Sequence, residues 1–308
     1  MMKSYLVAFG AMVMVATPAG AQPVTIIPKP QVNWTTGMRH VEQVQIALPA
    51  AVLSIRSGGP RDGKLNVNQL RGGGDCKAMA AVRDGVLYIG EETEVNRVVP
   101  PPVAIAGAQL TEGAAAAVAL TPSANAKDGV TASLPPRLET RTGGGCVYEV
   151  VLDLQRAAEL NITVPGEAQV EIERWADAVT ARLGTGFVAF GEVGDFDLEC
   201  RNCDFGGEGL NGALRYRIGI GTVGITRLTD SVDGVSRGDV VLLWRKMDAH
   251  SKVAVTSSAG DVAVGLPSSR IALSLHAPKG EIYSKRLTLA GGVPVNITAE
   301  AGTIRVRN

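Results

Sequence analysis

Aromatic residues are scarce in this chain of 308 residues, where phenylalanine, tyrosine and tryptophan together make up 4%. With so few bulky rings, the core must be built of valine, leucine, isoleucine and alanine, which fits thin stacked sheets better than a thick sandwich. The 37 glycines and the near absence of long helical periodicity favour the same class. The composition therefore predicts an all-β protein.

The net charge is zero, and histidine is scarce. The chain carries 30 basic and 30 acidic residues, so there is no electrostatic case for binding nucleic acid. The three histidines, His40, His250 and His276, belong to different segments. No His-Asp-Ser or His-Cys arrangement is suggested. We therefore expect a protein that is not an enzyme and needs no cofactor.

Long apolar runs are absent apart from LVAFGAMVMVA at 6–16. Lys3 precedes this run, and the small residues Ala19, Gly20 and Ala21 follow it, as in a secretory signal peptide with its cleavage site. The run is too short to span a bilayer comfortably. We expect a signal peptide at 1–21 and an exported mature chain without a membrane span, located in the periplasm, on the outer surface or in the medium.

Four cysteines are compatible with disulfides in an exported chain. Cys76 and Cys146 flank an Ala-, Pro- and Gly-rich segment, 91–145, that reads as a poorly ordered insert. The simplest interpretation is that a Cys76–Cys146 disulfide joins the two ends of this insert. On either side of it, we expect 22–90 and 146–308 to pack together as one domain.

Cys200 and Cys203 flank only two residues, and they allow three interpretations. A tight turn brings residues i and i+3 within disulfide range, which would make the pair a staple across a corner. A zinc site would need two more ligands, and a redox-active CxxC motif normally opens a helix. The staple is the interpretation that fits an all-β chain best.

A frame of eight residues recurs six times in the second half of the chain. Its apolar positions alternate with period 2, and a second short strand follows each corner. The copies are VTARLGTG (179–186), FDLECRNC (196–203), LRYRIGIG (214–221), VAVTSSAG (253–260), LSLHAPKG (273–280) and VNITAEAG (295–302). The long gap between the third and fourth copies contains GDVVLLW and can hold a degenerate seventh unit.

One such unit cannot bury its own apolar face, so the units should stack about 4.8 Å apart around a continuous core. Glycine closes five of the six frames, and we expect it there because a corner demands positive φ. These glycines are Gly186, Gly221, Gly260, Gly280 and Gly302. The fold expected is a β-solenoid or β-roll, with a β-sandwich as the alternative.

The repeats VAVTSSAGDVAVGLP, LHAPKGEIYS and AEAGTIRV resemble those of the bacterial putative-adhesin family of unknown function. The segments at 52–70, 82–89 and 160–173 are similar to its opening strands and to its entry into the repeats. The resemblance covers most of 40–90 and 146–308. It implies a stacked β-roll and offers no catalytic residue, while the insert and the cysteines depart from the family pattern.

The outward columns of the stack carry charge. Alternating signs on adjacent units predict a ladder of cross-strand ion pairs along one column. That column reads Arg182, Glu199, Arg217, Thr256, His276 and Thr298. Asp261 and Glu281, which follow two corners, are weak candidates for sharing a cation on adjacent units, although solvated acids that discourage edge pairing are the simpler interpretation.

One segment, 166–183, has a helix-like Glu and Ala content, but its VEIE and VTARL runs alternate with period 2. We therefore expect two strands there, with Trp175 at the bend between them. The closing strand TIRVRN, with Arg305 and Arg307, is expected to form the end of the stack. It is either a contact surface for a partner or another copy, or an edge that the two arginines protect.

Three functions remain from the sequence. The first is an exported structural or adhesin-like protein that contacts an envelope component, another protein or a second copy through its surface. The second is a carbohydrate-active enzyme on a β-helix, which would need stacked acids or a Ca²⁺ cluster that the columns do not provide. The third is a periplasmic sensor or envelope-stress partner.

Overall fold

The computed structural model describes residues 30–34, 38–60, 63–98, 145–267, 270–284 and 292–307. The predicted signal peptide at 1–21 and positions 99–144 of the predicted insert lie outside these residues. The described chain contains twenty strands and one seven-residue helix. The prediction of an all-β protein is confirmed.

The first part of the chain forms seven strands and the helix: β1 (Pro30–Trp34), β2 (Gln43–Ala47), β3 (Ala51–Ser57), β4 (Lys64–Arg71), β5 (Ala78–Arg83), β6 (Val86–Glu91), α1 (Glu92–Val98) and β7 (Val147–Leu154). Three long strands follow, namely β8 (Glu159–Trp175), β9 (Val179–Val193) and β10 (Phe196–Leu210). The remaining strands are short: β11 (Leu214–Ile220), β12 (Val223–Leu228), β13 (Val232–Ser236), β14 (Val240–Trp244), β15 (Val253–Ser257), β16 (Val262–Gly265), β17 (Ile271–His276), β18 (Ile282–Ser284), β19 (Val293–Ala299) and β20 (Ile304–Arg307).

The repeated frames pair in parallel and in register. Phe196 on β10 lies between Val179 on β9 and Leu214 on β11, as the alignment of the frames predicts. Each unit, or rung, contributes one strand before the corner and one after it. We call the stack of strands before the corner the first wall and the stack after it the second wall; β8, β9 and β10 run through both.

The gap between the third and fourth frames holds a further rung. It consists of β13 and β14, which pair in parallel with β11 and β12 on one side and with β15 and β16 on the other. The predicted strand GDVVLLW corresponds to β14. Likewise, 166–183 forms the end of β8 and the start of β9, with Trp175 buried where β8 ends.

The first part of the chain continues the same stack. Strands β2 and β3 pair in parallel with the two halves of β8, and β6 and β7 pair in parallel with β2 and β3. Antiparallel strands then complete each wall: β5 lies beside β6, β4 lies beside β7, and β1 lies beside β4. The predicted insert therefore begins and ends at one corner, between β6 and β7, where 92–98 is helical.

At the opposite end the rungs do not follow chain order. Strands β19 and β20 lie between the rung of β15 and β16 and the rung of β17 and β18, pairing in parallel with both. The expectation that TIRVRN ends the stack is wrong, because β20 has a strand on each edge. The end rung is formed by β17 and β18, whose Ile282 is 45% exposed.

The core lies between the two walls. Phe196 on the first wall packs against Phe190 and Phe205 on the second, with ring centroids 5.4 and 5.1 Å away. Other bulky side chains are accommodated by glycine on a neighbouring rung. The ring of Tyr216, fully buried, occupies the space that a side chain at Gly234 would need. Burial raises the pKa of the Tyr216 phenol far above its ordinary value.

Close backbone approach, rather than positive φ, explains most of the corner glycines. Gly186 and Gly221 do have a φ of +139°, but Gly260, Gly280 and Gly302 do not lie in the left-handed region. A Cβ atom at any of the five would overlap the backbone of the rung beside it. The expected reason is therefore wrong for three of the five, and the stacking distance itself excludes a side chain.

Buried serine completes the corner around Gly260. The Ser257 hydroxyl donates to the Gly238 carbonyl on the neighbouring rung at 2.8 Å, and the Gly260 amide donates to the same hydroxyl at 3.0 Å. Ser257 is fully buried. Its hydroxyl thus satisfies polar backbone groups that the corner removes from the strand ladder.

Substitution Gly260→Ala should destabilise the protein by about 1–3 kcal/mol, because the new methyl group forces the rungs apart. The free energy of unfolding from urea titration measures this. Gly224→Ala is the matched control, since a Cβ at Gly224 meets no atom within 4 Å, and it should change stability by less than about 0.5 kcal/mol. Equal effects of the two substitutions would contradict the explanation.

Candidate functional surface

Ion pairs cover the outer face of the first wall. Arg182 on β9 contacts both Asp197 and Glu199 on β10, at 3.1 and 3.2 Å. Arg217 on β11 contacts Asp233 on β13 at 2.8 Å. The predicted ladder therefore exists in part, but it links two outward columns diagonally. Sequence reasoning missed Asp233, because β13 was not recognised as a strand.

Arg215 connects the two halves of this network. Its guanidinium lies 4.0 Å from Asp197 and 3.8 Å from Asp233. All of these side chains are at least one-third exposed, so each pair alone contributes well under about 1 kcal/mol to stability. Their value for function is that acids and bases alternate at fixed spacing on a regular backbone.

A shallow groove of about 590 Å³ runs across the first wall beside this network. Its charged groups belong to Asp195, Asp197, Arg215, Asp233 and Lys252. Pro294 and Asn296 lie at its other end. Groups of both signs within one groove suit a ligand that is itself polar and of mixed charge. This groove is a candidate binding site on the first wall.

Two columns of outward residues follow the second wall. The first, from β8 to β20, consists of Glu171, Ala189, Gly206, Gly224, Val241, Ala263 and Arg305. The second consists of Glu173, Gly191, Glu208, Thr226, Leu243, Gly265 and Arg307. Over this stretch, which is flanked by Ser54 on β3 and Tyr283 on β18, both columns carry glutamate on β8 and arginine on β20. Between these strands the first column is small or apolar, whereas the second also holds Glu208 and Thr226.

The glutamate end of the second wall forms an open groove of about 650 Å³. Four glutamates, Glu171, Glu173, Glu192 and Glu208, line it together with Arg174 and Arg227. Arg227 lies 3.4 Å from Glu208 and 4.0 Å from Glu192. The acids outnumber the bases, so this end of the wall carries excess negative charge.

Aspartates that follow the corners bind the next rung. Asp204 accepts a hydrogen bond from the Thr222 amide at 2.9 Å, and Asp239 accepts one from the Asp261 amide at 2.8 Å. Asp261 accepts one from the Thr303 amide at 2.8 Å and contacts Arg305 at 3.1 Å. These carboxylates are structural acceptors rather than freely solvated acids.

The candidate cation pair does not lie on adjacent rungs. Asp261 and Glu281 both flank Thr303, because β20 lies between β16 and β18. That separation is about 9.6 Å along the stack, and Glu281 accepts a hydrogen bond from the Tyr283 hydroxyl. The expectation that the two acids are neighbours is wrong. Within the described ranges, no group of three or more His, Cys, Asp and Glu residues could hold a metal ion.

All four cysteines are joined in pairs. Cys76 and Cys146 have Cα atoms 5.6 Å apart, and Cys200 and Cys203 have Cα atoms 6.0 Å apart. The first pair lies beside the corner from which the insert departs. Cys203 is level with Gly186 on the neighbouring rung, so the second pair spans a corner in the glycine column. His276 lies on the end rung, in β17.

No helix among the described residues is long and apolar enough to cross a membrane.

Comparison with known proteins yields little. No protein-family model matches the chain, and no curated protein matches it. Among solved structures, it is similar to a putative cell adhesion protein from Clostridium sporogenes, with 14% identity and a TM-score of 0.27 over 91% of this chain and 99% of that one. Because the TM-score is this low, the similarity supports no conclusion about this chain.

Substitution Asp261→Ala should lower the free energy of unfolding by about 1–2 kcal/mol, because the Thr303 amide loses a charged acceptor. Asp261→Asn keeps an acceptor oxygen and should retain most of the stability. Urea unfolding of both variants measures the difference, and equal losses would contradict the structural role. Calcium should leave the wild-type Tm unchanged; a rise abolished by Asp261→Asn and by Glu281→Gln would restore the cation interpretation.

Proposed function

We propose that this chain is an exported, non-enzymatic structural or adhesin-like protein that acts in the bacterial envelope through contacts of its outer faces. The observation that carries the proposal is the order of those faces. Outward side chains repeat at the spacing of the rungs, and they combine into one network of alternating charge on the first wall. Such a surface is suited to binding an extended partner along several rungs.

Rigidity supports a binding role. The inward residues of the rungs between the two ends are almost completely buried, and each of these rungs is hydrogen-bonded on both sides. A surface fixed in this way loses little conformational entropy when a partner binds. The two disulfides fit a protein that works in an oxidising compartment.

The groove on the first wall is the contact region we favour. Arg215 and Lys252 are its two basic groups, and its three acids are Asp195, Asp197 and Asp233. The ion pairs of Arg215 are long, at 3.8 and 4.0 Å, so a ligand can replace them at small cost. The partner expected is an envelope protein or surface polymer that presents charged groups, and its binding should weaken as salt concentration rises.

The test is binding of the fluorescently labelled mature chain to washed envelope fractions of the bacterium that produces it. Removing the two basic groups of the groove with Arg215→Gln and Lys252→Gln should reduce retention about tenfold. The matched control removes two exposed arginines from the second wall, Arg174→Gln and Arg227→Gln, and should bind like the wild type. Equal retention of both double variants would contradict the assignment to the first wall.

Turnover must be measured in the same experiment. The proposal predicts that envelope polysaccharides incubated with the chain release no new reducing or unsaturated ends. Release of such ends in proportion to the concentration of the chain would overturn the non-enzymatic proposal and favour a carbohydrate-active enzyme. Loss of retention in every fraction, with the fold intact, would overturn the envelope-contact proposal and leave a role as a sensor to consider.

A further inference from the structure

We propose that the outer face of the second wall is a self-association surface on which two copies of the chain pack with their stacks antiparallel. This inference does not depend on the proposed function, since it concerns the opposite wall. It rests on the two columns of that wall, each of which is acidic at the β8 end and basic at the β20 end. A second copy turned by a two-fold rotation presents the opposite charge at each end.

The charges at the two ends are well placed for this arrangement. Glu171 and Glu173 project from β8, and Arg305 and Arg307 project from β20 at the equivalent column positions. Six rung steps separate the two strands, a distance of about 29 Å. β12 lies three steps from each of them. A two-fold axis that runs along β12, in the plane between the two copies, therefore places each glutamate opposite an arginine of the other copy.

Around the first column, the middle of the face is flat and apolar. Gly206 and Gly224 leave the backbone uncovered, and a Cβ at Gly224 would meet nothing within 4 Å. Val241 and Leu243 on β14 are 43% and 40% exposed, although both are large and hydrophobic. Contiguous apolar residues left exposed in this way mark an interaction surface.

The same two-fold axis fits the shapes together. It brings β10 of one copy over β14 of the other, so Val241 faces the bare backbone at Gly206. It also brings Ala189 over Ala263, and Gly224 over Gly224. In the first column Val241 therefore meets glycine, and each contact away from the axis occurs twice, as an isologous interface requires. In the second column Leu243 lies over Glu208, whose carboxylate is paired with Arg227 of its own copy at 3.4 Å. The positions of the glutamates and arginines and the side-chain sizes of the first column, which are independent observations, select the same axis.

The interface should be weak. Two columns, each covering a strip about 7 Å wide over about 29 Å of stack, give roughly 400 Å² per copy, about half of the area that a stable complex buries on each partner. We therefore expect a reversible dimer that forms as concentration rises and dissociates on dilution. Salt should weaken it, because its ends are held by exposed charge pairs.

Analytical ultracentrifugation of the mature chain over a wide concentration range tests this. The wild type should show a monomer–dimer equilibrium, and Val241→Glu should weaken dimerisation about tenfold or more, because it buries an unpaired charge at the centre. Val235→Glu is the matched control, since Val235 is 42% exposed on the first wall. It should leave the equilibrium unchanged.

A charge exchange tests the orientation. Arg307→Glu alone should weaken dimerisation, because it places like charges against Glu173 of the second copy. Adding Glu173→Arg should restore the wild-type equilibrium, because the exchanged pair is again complementary. Neither residue lies in the core, so far-ultraviolet circular dichroism should be the same for all variants.

Several outcomes would overturn the proposal. A wild type that stays monomeric at the highest concentration excludes the dimer. Equal effects of Val241→Glu and Val235→Glu would remove the second wall from the interface. Failure of Glu173→Arg to rescue Arg307→Glu would exclude the antiparallel arrangement.

Discussion

The spacing of hydrogen-bonded parallel strands is the constraint on which the rest of this structure depends. Rungs about 4.8 Å apart leave room for side chains that point inward or outward, but none for a Cβ atom that points along the stack. At the corners the chain turns so that this direction is unavoidable, and Gly260, Gly280 and Gly302 are the result. The glycine column, the register and the alternation of buried and exposed residues all follow from one distance.

Much of this was predictable from period-2 alternation, which identifies the inward positions and therefore the register. The rung of β13 and β14 was harder to find, because Gly234 stands where the column demands an apolar side chain. Its space is filled by Tyr216 from the neighbouring rung, and a pattern read one strand at a time does not reveal such compensation. The acceptor role of Asp261 was missed for the same reason, since its partner amide belongs to Thr303.

Period-2 alternation does not predict the order in which the last rungs stack. The frames at 273–280 and 295–302 carry equivalent inward residues, so either could pair with β15. In the structure the rung of β19 and β20 takes the interior position, and the rung of β17 and β18 takes the end, where Ile282 and Tyr283 remain exposed. The sequence pattern does not specify this order. The arrangement of residues on the two outer faces, on which both functional proposals rest, depends on this order of the rungs.

Distance measurement between spin labels on the outward column of the first wall tests this account most directly. A label at Thr180 would be paired in turn with one at Ala254, Asn296 or Ser274, which lie four, five and six rungs away. The account predicts distances of about 19, 24 and 29 Å in that order. A shorter distance to Ser274 than to Asn296 would contradict the rung order, and distances without the regular increment would contradict the parallel stack.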